Sequence, residues 1–448
     1  MPIAAVFIIF AMWFAISSQI TPDKTHKQQQ LFQLHIMKLK PLLVLALLSI
    51  AIAGSSAKQR KAIYIVVDGI PADYIERLHT PVIFDIASKG HYSRAYTGGD
   101  KNGYSLTPTI SAIGYTNILT GTWMNKHNVN GNSNLNPNYN YWTLFRVAKE
   151  QKRNFTTGLF SSWVDNRTVL IGEGKPQTGN LKIDYVADGF ELDTINFRPK
   201  KDELHIFDID SLVCKKAAEC VRANAPDLSW VYLWYTDSGF HLYGNSDFMD
   251  YYVQRTDAQL KQIWDAVKYR EANFDEEWMV IVTTDHGRTD NGYGHGGQSD
   301  RERTVWISTN VSGVNTHFSD GSLALVDIHP TICSWMGWEL PRDRRFELDG
   351  TPFVGKTDLH HLSIDVKDGI ATLRWKSDSA YNIATVYLAT TNKFASGDVD
   401  KYSVVARTLS KKEKCTVDLN KYPSATIFKF VVSTKNNCLT KWYVPANK

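Results

Sequence analysis

Cysteine is scarce in this chain, with five in 448 residues. The count is odd, so at least one thiol is free or pairs elsewhere. Cys214 and Cys220 lie six apart in a helix-like run, a spacing that points them to different faces. Cys333 sits in apolar sequence and reads as buried, whereas Cys415 and Cys438 lie in strand-like sequence and could bridge, the pairing being left open. Charge of one sign is lacking too. The net charge is only +4, which excludes the clustered basic footprint of a nucleic-acid binder. Internal repeats and low-complexity linkers are also missing, which excludes a stacked-repeat architecture. What is present is ordinary globular composition, 43% hydrophobic and 21% charged, in a chain long enough for one large core plus a smaller domain. Aromatics reach 12%, with 13 Trp and 21 Tyr, most of them expected in the core.

The N-terminus carries two apolar segments. Residues 1–20 contain no charge and are about long enough to span a bilayer. The second segment has a positive start at Lys38 and Lys40, an apolar run from Pro41 to Ile52, and small residues at 51–53 or 55–57 suited to cleavage. It reads as a secretory signal with Met37 as the true start, so residues 1–36 are expected to be an over-extended reading frame. Residues 1–57 are then N-terminal apolar segments that include the signal, and the remainder is expected to be exported, either secreted or periplasmic. A retained membrane anchor is the alternative. Asn154, Asn166 and Asn310 lie in glycosylation sequons, which matter only in a eukaryotic secretory pathway.

"KAIYIVVDGI" is a short β-branched run ending in Asp68, the pattern of a buried parallel strand delivering a carboxylate at its carboxyl end. "DLSWVYLWYTD" ends in Asp237 and "EEWMVIVTTDHG" in Asp285 and His286, with helical patterns between. This alternation predicts an α/β fold for residues 58–354, a mostly parallel sheet flanked by helices. Ligands collect at the carboxyl ends of such strands. From residue 355 the pattern changes to short alternating strands. Residues 355–448 are expected to form a small all-β sandwich, fibronectin III- or Ig-like, with Trp375 in its core.

Around the strand ends stand more metal-type side chains. Asp237 is followed four residues later by His241, and Asp285-His286 by His295 between glycines. With Asp68 this makes three carboxylates and three imidazoles, the donor set of zinc and similar divalent ions. Six such ligands suffice for two metals at three protein ligands each, leaving an open position on both. A single strand-end Asp is more often a helix cap, but the joint pattern outweighs that reading. His127 and His329 gain no such support and read as packing residues. The segment "SLTPTISAIGYTNILTG" is rich in hydroxyls, and Thr107, Thr109 and Ser111 are its candidate nucleophiles.

A strand-end Asp, a hydroxyl followed by a Thr-Gly turn, Asp-x-x-x-His-x-x-Gly, Asp-His-Gly and a later Gly-His-Gly together resemble the alkaline phosphatase superfamily. Within it they are most similar to the type I phosphodiesterase/nucleotide pyrophosphatase family. The resemblance covers roughly residues 62–345, ending at "VDIHPTICSWMGWELP", and is not seen in the sandwich. It implies two zinc ions, one held by Asp237, His241 and His295, the other by Asp68, Asp285, His286 and the nucleophile. The family's nucleophile precedes the Thr-Gly turn by nine residues, and a phosphate-contacting Asn follows it by twenty-one. Counting from Thr120 and Asn132 reaches Ser111 both ways. The resemblance implies attack by Ser111, a covalent phospho-enzyme, and a phosphoryl group held by the Asn132 amide and the backbone N–H of Ala112.

Three departures bear on substrate. Ala112 replaces the aromatic that stacks on nucleotide bases, Ile113 and Gly114 replace the customary Pro and Asn, and Phe240 replaces a Gly before His241. Tyr139, Tyr141, Trp142 or Trp163 are the aromatics able to stack instead, or else they pack beneath the site. The expected activity is hydrolysis of phosphodiester or pyrophosphate bonds in a small, nucleotide-like substrate, not a nucleic-acid duplex. Alternatives are a phosphomonoesterase on the same fold and a surface binding protein with a vestigial catalytic domain. The Cys or Ser motif that sulfatases mature to formylglycine is absent.

Overall fold

Alternate residues of the first strand face two different cores. Ala62, Tyr64 and Val66 belong to one buried cluster, and Ile63, Ile65 and Val67 to another. A strand buried on both faces needs a continuous apolar run, which "AIYIVV" supplies. In this computed structural model, which describes residues 58–445, that strand is β1 (Gln59–Val67), at the centre of a seven-stranded sheet. The N-terminal segments, residues 1–57, lie outside the described residues.

The other strands of this sheet are β2 (His91–Tyr96), β3 (Thr157–Ser161), β4 (Tyr185–Ala187), β5 (Leu228–Leu233), β6 (Glu276–Thr283) and β7 (Thr304–Thr309), in the order β2-β7-β6-β1-β5-β3-β4. β1, β3, β4, β5 and β6 run parallel, while β7 pairs antiparallel to β6 and to β2. The sheet is therefore mostly parallel, as expected. The three strands whose ends carry candidate ligands, β5, β1 and β6, are immediate neighbours.

Helices cover both faces. Helix Ser111–Thr120 contributes Ala112, Ile113, Tyr115, Ile118 and Leu119 to the cluster on one side. Helices Leu204–Asn224 and Asp247–Asn273 contribute Val213, Leu260 and Ile263 to the other. Each such fully buried aliphatic side chain stabilises the fold by about 1.5–3 kcal/mol.

Beyond this sheet, β8 (Leu359–Lys367), β9 (Ile370–Ser377) and β12 (Lys414–Asp418) form a three-stranded sheet. β10 (Ile383–Ala389), β11 (Ser403–Leu409), β13 (Phe428–Ser433) and β14 (Cys438–Tyr443) form a four-stranded one. All pairings in both are antiparallel, and the two sheets share one core in which Trp375 is 2% exposed. This is the expected small β domain.

Cys415 and Cys438 do not bridge; all five cysteines are free. Cys415 is on β12 and Cys438 on β14, in different sheets, and their thiols contact the carbonyls of Thr416 and Arg345. Strand-like sequence around each cysteine carried no information on which sheet would receive it. Cys333 is buried, as expected, and so are His127 and His329. Of the three sequons only Asn154 is exposed; Asn166 is buried, and the Asn310 amide bonds Val280 and Trp278 of β6. Among the described residues no helix is long and apolar enough to cross a membrane.

Candidate metal centre and nucleophile

Asp68 follows β1 directly, and Asp285 and His286 stand just past β6. Asp237 differs from expectation, because β5 ends at Leu233 and Asp237 lies in the first turn of helix Tyr235–Tyr243. The four-residue spacing of Asp237 and His241 is thus a helical one, which places both side chains on one face. His295 sits in the loop that follows Asp-His-Gly.

These groups converge on two adjoining points. Asp237 Oδ1 lies 3.5 Å from His241 Nε2 and 3.6 Å from His295 Nε2, and the two ring nitrogens are 3.1 Å apart. His286 Nε2 lies 3.2 Å from Asp285 Oδ2, 3.5 Å from Asp68 Oδ1 and 4.0 Å from Asp237 Oδ1. Asp237 therefore faces both groups, and the His286 and His295 rings stack with centroids 3.8 Å apart. Ser111 Oγ is 3.2 Å from His286 Nε2.

The surroundings orient the rings. His286 Nδ1 bonds the Gly287 carbonyl at 2.9 Å, and His295 Nδ1 the Thr109 carbonyl at 2.8 Å. A carbonyl only accepts, so each Nδ1 carries the proton and each Nε2 presents a lone pair to the cluster. Burial, with neighbouring positive groups, holds the His286 imidazole well below its usual range. The His295 imidazole is also lowered, chiefly by burial. The carboxylates shift the other way. Asp68 is raised well above its ordinary value by burial and by repulsion from Asp285 and Asp237. Burial pushes Asp285 up to about 7.

Asp68 Oδ1 and Asp285 Oδ2 are buried and have no hydrogen-bond partner. Buried carboxylate oxygens facing unprotonated ring nitrogens are repelled by one another and satisfied by nothing among the described residues. A divalent cation satisfies all of them, so this donor set fits metal ions on its own chemistry.

Sequence reasoning missed the groups behind the ligands. The hydroxyls of Tyr115 and Tyr232 both donate to Asp68 Oδ2, Tyr232 at 2.7 Å. Tyr115 lies one helical turn after Ser111, a spacing that offered a signal; Tyr232, inside an apolar strand, offered none. Arg288 is fully buried, and its guanidinium bonds Asp237 Oδ1 and the carbonyl of Gly69. A Cβ on Gly69 would lie 2.4 Å from that guanidinium, so only glycine fits beside it.

Ser111 opens a ten-residue helix, all of it buried, that ends at Gly121 with φ +66°. The Thr-Gly turn is therefore the cap of the helix that carries the hydroxyl. Gly114 explains one departure: a Cβ there would lie 2.8 Å from Asp285, so its absence lets this helix reach the end of β6. Phe240 is buried edge-on to Tyr74, centroids 4.9 Å apart. Asn132 meets the nucleophile differently from expectation. Its Oδ1 accepts from the Ala112 N–H at 2.9 Å, so these two groups pair with each other and the side-chain amide Nδ2 is the donor left over. Ala112 is fully buried, Tyr141 packs on Phe394, and Trp142 lies under Arg344, so none of these faces the cluster. Tyr139 bonds the Val169 carbonyl. Trp163 lies edge-on to Tyr115, whose hydroxyl bonds Asp68, with centroids 6.3 Å apart.

A helix-borne hydroxyl and a histidine–carboxylate cluster at the carboxyl ends of a mostly parallel sheet define a hydrolase of the alkaline phosphatase superfamily. The chain belongs to the type I phosphodiesterase / nucleotide pyrophosphatase family, whose model matches residues 62–414. That match runs on through β11 to the start of β12, further than the residues 62–345 read from motifs, because sandwich strands carry no motif to count. Similar solved structures include a 2-O GAG sulfatase, 13% identical, covering 82% of this chain and 86% of its own, with a TM-score of 0.48. Human ectonucleotide pyrophosphatase / phosphodiesterase 5 is 13% identical, covers 64% and 98%, and has a TM-score of 0.43. Its murine counterpart is also 13% identical, covering 63% and 96% with a TM-score of 0.42. No curated protein matches the chain.

Proposed function

We propose that this chain is an exported two-metal hydrolase that cleaves phosphodiester or pyrophosphate bonds through a phosphoserine at Ser111. The observation that carries this reading is the position of Ser111 Oγ, 3.2 Å from His286 Nε2 and so beside the unpartnered oxygens of Asp68 and Asp285. Asp237, His241 and His295 hold one ion; Asp68, Asp285, His286 and Ser111 hold the other, with zinc favoured by the donor set. Bound there, the cations supply Lewis acidity and lower the energy needed to ionise a hydroxyl.

Ser111 gives its proton to solvent and its Oγ attacks phosphorus, forming an Oγ–P bond as the bond to the leaving alcohol or phosphate breaks, and the leaving alcohol oxygen takes a proton back from solvent. Water then attacks the phosphoserine, the Oγ–P bond breaks, and Ser111 is restored. The helix that begins at Ser111 directs the positive end of its dipole at the phosphoryl oxygens. The Asn132 Nδ2 amide supplies a hydrogen bond to one of them. Tyr115 and Tyr232 keep Asp68 turned toward the cluster.

A monoester dianion calls for an arginine. Arg288 is buried and engaged by Asp237 and Gly69, which favours diesters. The substrate is a small diester or nucleotide-like molecule. With Ala112 buried and Tyr139, Tyr141 and Trp142 engaged elsewhere, Trp163 is the remaining one of these four aromatics to offer a base a stacking face. Export rests on Lys38, Lys40 and the apolar run from Pro41 to Ile52. The test compares bis- and mono-p-nitrophenyl phosphate as substrates, with Ser111→Ala alongside. Preference for the bis-ester, lost in the variant, is expected. Undiminished turnover in Ser111→Ala overturns Ser111 as the nucleophile, and protein that binds no metal and hydrolyses neither ester overturns the reading in favour of a vestigial, binding role.

A further inference from the structure

A second histidine–aspartate cluster lies at the join between the α/β part and the β-sandwich. It uses none of the residues of the candidate metal centre. The short turn Thr316–Phe318 carries His317, the loop after it carries Asp320, and β8 carries His360. One ligand atom from each of these three residues lies within 4.8 Å of the others. His317 and His360 are buried, with side chains 4% and 7% exposed, and the Asp320 side chain is only 15% exposed.

The rings are arranged as metal-bound histidines are, each with a carboxylate behind it. His317 Nε2 lies 2.8 Å from Asp327 Oδ2. Asp327 is itself anchored by the backbone N–H groups of Ala324 and Thr351. His317 Nδ1 is thereby turned toward Asp320 Oδ2, at 3.4 Å, and Ser322 Oγ, at 3.2 Å. His360 repeats the arrangement. Its Nε2 is 3.4 Å from Asp378 Oδ1, and its Nδ1 is 2.5 Å from the same Asp320 oxygen. Asp378 accepts from the Thr316 hydroxyl across the join. The β8–β9 register shifts between His360 and Ser363, a bulge that frees His360 from the strand's regular alternation.

Charge points the same way. Three carboxylates, Asp320, Asp327 and Asp378, surround two imidazoles, so the cluster stays negative even when both rings are protonated. A cavity of about 610 Å³ adjoins His317, Ser322 and Asp327 and is lined further by Asp100, Lys441 and Trp442.

We propose that His317, Asp320 and His360 form a third divalent-metal site, of the zinc type, that pins the β-sandwich to the α/β part. Two imidazole nitrogens and one carboxylate oxygen are a zinc-type donor set, with Ser322 or water able to complete it. The contrasting reading is a metal-free latch of charged imidazoles and carboxylates.

Metal content per chain separates them, measured on the full-length protein equilibrated with zinc. Wild type is expected to hold one equivalent more than His360→Gln, with hydrolysis of the bis-ester unchanged in the variant. Equal metal content overturns the proposal and leaves the latch. Because the readout is a difference, it holds whether or not the candidate active centre takes metal. Should His360→Gln not fold, Asp378→Asn removes only a backing carboxylate. Cobalt(II) titration followed by visible absorption should then show one class of site weakened about 10–100-fold. Unchanged cobalt affinities in Asp378→Asn overturn the proposal equally.

Discussion

The two histidine–aspartate clusters of this chain use the same side chains in opposite ways. At the candidate metal centre, His286 and His295 rest their Nδ1 atoms on the carbonyls of Gly287 and Thr109. At the join, His317 and His360 rest on the carboxylates of Asp327 and Asp378. A carbonyl sets the tautomer without adding charge, so burial wins and the His286 and His295 imidazoles fall below their usual range. Burial also acts to lower His317, but Asp327 and Asp320 outweigh it and lift the imidazole to about 10. Without a bound ion, burial thus governs His286 and His295, whereas the carboxylates around His317 outweigh burial.

The comparison can be broken most severely at Asp237, the carboxylate that faces both halves of the centre. Asp237→Ala should lower bis-ester hydrolysis by on the order of 10⁴-fold. Its thermal unfolding should respond to the join as wild type does; activity within tenfold of wild type would show that the centre is not one unit. At the join, Lys429 is buried between Glu347 and Asp400, at 2.5 and 2.7 Å. Lys429→Met leaves two buried carboxylates unpaired and should lower stability by about 3–5 kcal/mol in denaturant unfolding, with turnover per folded molecule unchanged.

The pH dependence of the join follows from His317. Its folded value is raised above the unfolded value of about 6.5. In metal-stripped protein its contribution to stability is therefore fully present below about pH 6.5. That contribution is lost as pH rises through about 10, which urea unfolding across that range will show. A stability profile identical in His317→Gln would remove His317 from the account. The mildest test is Tyr232→Phe, which takes one of two hydroxyl donors from Asp68 Oδ2. Metal affinity at the centre should weaken by about 10–100-fold with the fold intact, measured by chelator competition.

The same contrast shows what was legible in the sequence. Asp68, Asp285 and His286 stand at or just past strand ends, and buried parallel strands announce themselves as apolar β-branched runs. His241 and His295 stand in the helix and the loop that follow such strands, so local spacing reached them. Asp237 was found by the same logic, although helix geometry rather than a strand end places it. Asn132 was located by counting, but its bond to the Ala112 N–H depends on how a loop folds back onto a helix. His317, Asp327, His360 and Asp378 carry no spacing rule. They come together only because the sandwich docks where it does, whereas Cys415 and Cys438 are kept apart within the sandwich by lying in different sheets.

By itself, then, the sequence determined the α/β core with its small β partner, the ligand-bearing strand ends and the helix that opens with Ser111. These rest on hydrophobic periodicity and short-range spacing, which act within one element or between an element and its neighbouring loop. Only the tertiary structure decided that β5, β1 and β6 are adjacent, that Asp237 serves both halves of the centre, and that Tyr232 and Arg288 stand behind it. The join between the two parts was decided there as well. Each of these is a contact between residues far apart in the chain, and its energy comes from packing and desolvation that no local window contains.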